Sequence, residues 1–240
     1  METATKPIRA RGDALALSLM AFYLLSTLTL ALMAVVTPEL QQRFGLSASQ
    51  LGLLTSVFMF AYGAVGIPAG VEAARWGGRV LAVSSVCMVI GSLVFAFSSS
   101  FGGFAVGRLL QGVGGGMVVP VCSPVIACHL QPDDRNRGWG IFATGKGLGA
   151  LVSLLLMPSV AQLGGFRAVF VTTAVLALLV GGLTLSRWEV RALPPGGDEV
   201  SFRVASRSLR AVVFNRRVLL LGLFNAASLA VGTGVLIWTP

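Results

Sequence analysis

Charge is what this sequence has least of. Of its 240 residues only 11% are charged, against 55% hydrophobic, whereas soluble domains carry roughly 25% charged residues. At under half that share there is too little polar surface to keep a globule of this size in water, and a soluble enzyme is excluded. So is a disordered chain, which needs the opposite balance. Histidine occurs once, as His129, and cysteine three times, as Cys87, Cys122 and Cys128. Their spacing matches no zinc site, and the cysteines read as small core residues. No Ser/His/Asp set or pair of carboxylates falls in the apolar stretches, which points away from catalysis and leaves no cofactor to place. What is abundant is glycine, with 30 residues, and apolar sequence, with a mean hydropathy of +0.84.

A helix needs about 20 apolar residues to cross ~30 Å of hydrocarbon. Seven stretches reach or approach that length: 14–36, 48–71, 80–97, 101–128, 139–163, 168–185 and 218–240. The first follows Lys6, Arg9 and Arg11 as a signal peptide would. Its apolar run exceeds the ~7–15 residues of a signal core and leads directly into a second span, so it reads as a retained helix. The expected organisation is a tail at 1–13, six spans within 14–186, a polar linker at 187–217 and a seventh helix at 218–240. The linker holds Pro194, Pro195, Gly196 and Gly197 among its arginines. Part of it, 202–214, suits an amphipathic helix on the anionic leaflet.

The basic excess, 18 Lys and Arg against 9 Asp and Glu, would suggest nucleic acid in a soluble protein. Here it follows the spans. With a cytoplasmic N-terminus, nearly all the cations fall on the cytoplasmic side, leaving Arg43 and Arg167 opposite and Arg108 and Lys146 inside spans. Membrane proteins retain Lys and Arg in cytoplasmic loops, so the expectation is a multi-pass inner-membrane protein, N-terminus inside, with the lipid bilayer as a partner and no nucleic acid.

Four motifs then stand in order. Gly70, Arg75, Gly77 and Arg79 fit G-x-x-x-D-R-x-G-R-R in the first cytoplasmic loop. Arg108 to Gly114 reads R-L-L-Q-G-V-G, Gly165 to Phe170 reads G-F-R-A-V-F, and Tyr62 to Gly70 reads Y-G-A-V-G-I-P-A-G. Together they resemble signatures of the major facilitator superfamily. That resemblance implies an all-α membrane protein: a six-helix bundle of two inverted three-helix repeats, 14–97 and 101–185, plus the first helix of a second half. It implies secondary active transport of a small solute by alternating access. It also implies that Arg108 helps couple substrate movement to protons, and that Gly70, Glu72, Arg75, Gly77 and Arg79 belong to a gating loop. The loop acid of the family is Ala74 here, and Glu72, about 200° around the helix, cannot simply replace it.

Arg108 lies about 10 Å from the outer end of its helix, with Gln111 one turn away on the same face. An arginine at that depth needs the bundle interior, water or a partner. Lys146 lies about 12 Å from the cytoplasmic side, in T-G-K-G-L-G, where many drug antiporters of the family carry a proline instead of a cation. It reads as an anion ligand or a proton carrier, or as a lysine merely solvated by a cavity. Tyr23, Thr27 and Tyr62 are candidate lining residues, though such residues also serve packing. With Arg108 and Lys146 the only charges deep in the spans, an organic or inorganic anion is favoured as substrate, with protons as coupling ion. The alternatives are a drug/proton antiporter, or a truncated half-transporter inactive without its complementary half or another copy.

Overall fold

The computed structural model describes residues 5–187 together with Val190, Arg216, Leu220, Leu223 and Ala227. The expected linker and seventh helix lie outside the described residues apart from those single positions. Five helices and one short 3-10 turn account for the rest: α1 Thr5–Phe44, α2 Ala48–Trp76, the turn Gly77–Arg79, α3 Val80–Phe97, α4 Phe101–His129 and α5 Pro132–Ser186. All five helices are long and apolar enough to cross a membrane. The first four take up the first four expected spans, with α1 running well past both ends of 14–36. The fifth and sixth expected spans share the single element α5.

That element cannot be one rod. At 1.5 Å per residue its 55 residues would reach about 80 Å, far more than a bilayer core. Its backbone leaves helical geometry at Gly164 and Gly165, and Gly165 takes φ 67°, a conformation that glycine adopts without a Cβ penalty. The arms 132–163 and 166–186 then run back along each other's level on α1. Gly145 abuts Met20, Gly165 abuts Glu39 near the far end, and Thr184 Oγ1 donates to the carbonyl of Ser18 at 3.4 Å. The chain therefore turns over at Gly164–Gly165, as two separate spans require.

Local sequence explains the other breaks. Ser47 caps α2 in a reciprocal capping box with Gln50, satisfying two otherwise orphaned N–H groups. Ser100 caps α4 by accepting from the Gly103 N–H. Pro132 starts α5 at its first turn, where the missing N–H costs nothing.

Packing follows the glycines. In a bilayer, close approach of small residues substitutes for the hydrophobic drive available in water. On α4, Gly112 and Gly116 lie against the carbonyls of Phe58 and Tyr62 in α2, while Gly107 and Gly114 lie against α3 at Gly91 and Ser84. The first arm of α5 meets α1 in the same way, through Gly145 and Gly149. Thus α1 pairs with the first arm of α5 as α4 pairs with α2. The first helix of each expected repeat is packed on the second helix of the other. Gly114–Gly116 remain helical, so these glycines are packing residues and no unwound backbone is formed. Gly70 is less demanding: a Cβ there would meet Pro120 Cβ at an ordinary 3.7 Å. Of the cysteines read as core residues, Cys122 is buried and Cys87 half-buried, but Cys128 is exposed, being at the last turn of α4.

At the far end of the bundle Phe95 stacks on Phe170 with ring centroids 4.0 Å apart, and Phe104 and Phe166 close the cluster. This apolar plug fixes the depth of everything on α4 below it.

Candidate functional site

The polar interior is built on α4. Arg108 is fully buried. Its Nη1 donates to the carbonyl of Thr29 on α1 and to Gln111 Oε1 on its own helix, both at 3.0 Å. Gln111 Nε2 donates onward to Ser92 Oγ on α3 at 3.0 Å. The guanidinium carbon stands 4.3 Å from the centroid of the Phe58 ring on α2, a cation–π contact of the kind that gains strength when desolvated. Arg108 thus touches or reaches every one of the first three helices. Its Nε and Nη2 make no hydrogen bond, and no carboxylate pairs with it among the described residues. One charged group is held here by an aromatic face, a carbonyl and an amide, with two of its nitrogens left over.

Two serines extend the same seam towards the other end. Ser26 Oγ donates to the Gly115 carbonyl at 3.2 Å and Ser84 Oγ to the Gly114 carbonyl at 2.6 Å. Each serine satisfies its hydroxyl on backbone that the neighbouring glycines leave accessible.

Lys146 occupies different surroundings. It is exposed, beside the face of its helix that Gly145 and Gly149 press onto α1. One turn before it, Phe142 stacks on Tyr23 at 4.8 Å with the rings 15° from parallel, and Trp139 meets Phe142 edge-on. Thr144 Oγ1 donates to the Ile141 carbonyl and lies 3.2 Å from Met20 Sδ. The result is an exposed ammonium group one turn beyond a buried aromatic stack.

The structure brings the expected site residues only partly together. Arg108 and Gln111 are bonded to each other, and Tyr62 joins them through its stacking on Phe58 at 6.0 Å. Tyr23 stacks on Phe142, one turn before Lys146, and lies near Tyr62, while Thr27 Oγ1 is spent on the Tyr23 carbonyl one turn earlier. Arg108 lies level with Thr29 and Lys146 with Met20 to Leu24, a rise of about 10 Å along α1. Arg108 has no surface on the open face where Lys146 stands, so the two cations do not line one open cavity in this structure. Packing by Phe58, Thr29 and Gln111 closes over the guanidinium.

In the loop after α2, Arg75 pairs with Glu72 at 3.8 Å within the last turn, and Gly77 takes φ 58° at the helix end. Arg79 is exposed at the start of α3 and forms no ion pair among the described residues. The sequence reading missed Thr29, Ser92 and Phe58 as partners of Arg108, and no spacing signal marks them. It also left Glu39 unassigned. Glu39 Oε2 accepts the Phe166 N–H and so caps the second arm of α5 at the turnover, while Arg43 sits over the Phe44 and Phe166 rings at 5.8 and 5.7 Å.

The family model described as Major Facilitator Superfamily matches residues 15–240. Among curated proteins, the chain is 34% identical over 125 residues to an uncharacterized MFS-type transporter, YhcA, of Bacillus subtilis, covering 52% of this chain and 24% of that protein. It is 30% identical over 144 residues to probable anion transporter 6 of Oryza sativa, covering 56% of this chain and 32% of that protein. The chain thus spans about a third or less of the length of these relatives. Among solved structures, the peptide transporter POT in complex with sulfate superposes with a TM-score of 0.67 at 20% identity, over 96% of this chain and 47% of that one. That likeness is one of fold.

Proposed function

The chain belongs to the major facilitator superfamily, and from that premise we propose that it forms the amino-terminal half of a secondary active transporter that carries a small anion by alternating access, coupled to protons. The observation that carries this reading is Lys146. A lysine exposed halfway along a bilayer-crossing helix is tolerated only against water or a counter-charge, and no carboxylate pairs with it among the described residues. A complementary second half closing over the lysine's face would turn it into an aqueous cavity with one positive group, suited to a carboxylate or phosphate. The name of the rice relative supports the same class of substrate.

In this reading Arg108 holds the depth of α4 and supplies permanent positive potential behind the cavity. Lys146, whose residue type can release a proton when desolvated while arginine cannot, is assigned the coupling proton. Tyr62, Tyr23 and Thr27 border the route. The segment 70–79 belongs to the cytoplasmic gate: the Glu72–Arg75 pair keeps the last turn of α2 closed on itself, and the Gly77 turn sets the angle of α3.

Uptake by the complete transporter in proteoliposomes tests the proposal. Saturable uptake of organic acids or inorganic phosphate, competed by other anions and accelerated by a proton gradient, is expected. Transport of cationic dyes with no uptake of anions would overturn it in favour of a drug antiporter.

Orientation has its own test. We place the N-terminus in the cytoplasm of the inner membrane, which puts the turnover at Gly164–Gly165 outside. Leu163 is 89% exposed beside it, and Asn136 is exposed near the start of α5. In a background with Cys128 replaced by Ser, an impermeant maleimide added from outside should label Leu163→Cys and spare Asn136→Cys. The reverse pattern would invert the topology.

A further inference from the structure

A crevice of about 400 Å³ opens between α2 and α3, with Met117 of α4 at its floor. It lies apart from the Lys146 face, and its polar end falls within the gate segment 70–79. Its α2 wall is a single face at helical spacing: Val65, Pro68 and Ala69, then Glu72 and Trp76. Val80 and Val83 form the α3 wall. From Val65 to Trp76 the crevice runs about 16 Å at 1.5 Å per residue, which is the depth of one leaflet in a ~30 Å hydrocarbon core. Its deep part is apolar throughout. Its polar groups are confined to one end, where Glu72, Trp76 and Arg79 border it.

We propose that this crevice binds one acyl chain of an anionic phospholipid of the cytoplasmic leaflet, with the lipid phosphate on Arg79. Three observations select that occupant. The length matches a chain crossing a single leaflet. Trp76 is 55% exposed at the mouth, the depth at which tryptophan collects between hydrocarbon and headgroups. Its one carboxylate, Glu72, is already engaged with Arg75 at 3.8 Å, which leaves Arg79 as the unengaged charge at the mouth. Arg79, exposed and without an ion pair among the described residues, is left for a phosphate. Basic pockets between spans on the cytoplasmic side recognise anionic headgroups on the same physical basis. A lipid bound here would wedge α2 against α3 beside the Gly77 turn, so lipid composition would bear on the gate. The leaflet assignment rests on the proposed orientation, whereas the binding itself does not.

The protein in nanodiscs of phosphatidylethanolamine, doped with phosphatidylglycerol bearing a diazirine at the end of one acyl chain, supplies the test. Irradiation should place adducts near Val65, Val83 or Met117. Arg79→Gln, a change at an exposed side chain, should lower their yield about fivefold, the factor one arginine contributes at an anionic surface. Val83→Trp, at a position already 53% exposed, should fill the crevice and remove the adducts while leaving the melting temperature unchanged. A phosphatidylcholine probe with the same diazirine should label several-fold less. Equal labelling by the two probes, no response to Arg79→Gln, or adducts scattered evenly over the lipid-facing helices would overturn the proposal. Adducts appearing only when the second half is absent would overturn it too, by giving the crevice to that half. Each readout is independent of solute uptake, so failure of the lipid site and failure of the transport reading are told apart.

Discussion

In the complete transporter, Lys146→Ala lowers saturable anion uptake about a hundredfold. Removing one partner of a charge pair that is desolvated on binding costs roughly 2–5 kcal/mol, and a hundredfold corresponds to about 2.7 kcal/mol. Folding is not at stake. Lys146 is exposed and takes part in none of the contacts that fix α5 to α1, which run through Gly145, Gly149 and the Phe142–Tyr23 stack. The variant should therefore elute and melt like the parent, with the loss confined to binding. Lys146→Arg separates charge from proton exchange, because arginine stays protonated at every relevant pH. It should bind the anion and lose the acceleration of uptake by a proton gradient. Equilibrium binding alongside proteoliposome uptake checks both arms. Unchanged uptake in Lys146→Ala would return this lysine to a solvated group with no assigned role and remove the main support for an anionic substrate.

Arg108→Met abolishes uptake while shifting the melting temperature by only a few degrees. The two halves of that expectation come from the geometry. The guanidinium is fully buried and spends one of its three nitrogens on hydrogen bonds, leaving Nε and Nη2 without partners. Holding an incompletely paired charge away from water is costly, and replacing such a group by an apolar one of similar volume is often close to neutral. Methionine keeps the bulk against Phe58, and the lost bonds to Thr29 and Gln111, about 1 kcal/mol each for neutral acceptors and more for charged ones, are offset by the charge no longer buried. Uptake has no such offset, since the positive potential behind the Lys146 face disappears. Arg108→Ala differs: it adds a cavity and should lower stability by about 3 kcal/mol or more. Comparing thermal unfolding with uptake in the two variants decides the role. If Arg108→Met loses folding and uptake in step, Arg108 is a structural staple joining α1, α2 and α3 to α4 and has no separate part in transport.

The helices were legible in the chain because lipid leaves few choices. A span must satisfy its backbone internally and expose apolar side chains, so composition and run length suffice to place it. The starts of α3 and α4 coincide with those of the expected spans, and capping residues such as Ser47 and Ser100 mark two of the helix starts in the sequence. That Gln111 shares a face with Arg108 was also readable, since both lie on one helix three residues apart. The family could be reached from four short motifs for the same reason: each is a local run whose meaning depends on order along the chain.

What the chain did not disclose is whatever depends on two helices meeting. That Phe58, Thr29 and Ser92 surround the Arg108–Gln111 pair follows from the way Gly112 and Gly107 let α2 and α3 close on α4, and no period within one helix encodes which neighbour arrives. For Arg108 and Lys146 the chain offers depth alone. Depth is a property of one helix, whereas facing is a relation between several, and the bundle turns the arginine inward and leaves the lysine outward. Glu39 is the same case. Near the end of α1 it resembled any solvated acid until the turnover at Gly164–Gly165 brought the Phe166 N–H to it. By itself the sequence determined that this protein has helices apolar enough to cross a membrane, where three of them begin and which two cations lie within them, because hydrocarbon constrains each span separately. Only the tertiary structure decided which of those cations is sealed and which is open, because burial is set by the helices that pack around a residue and not by the one that carries it.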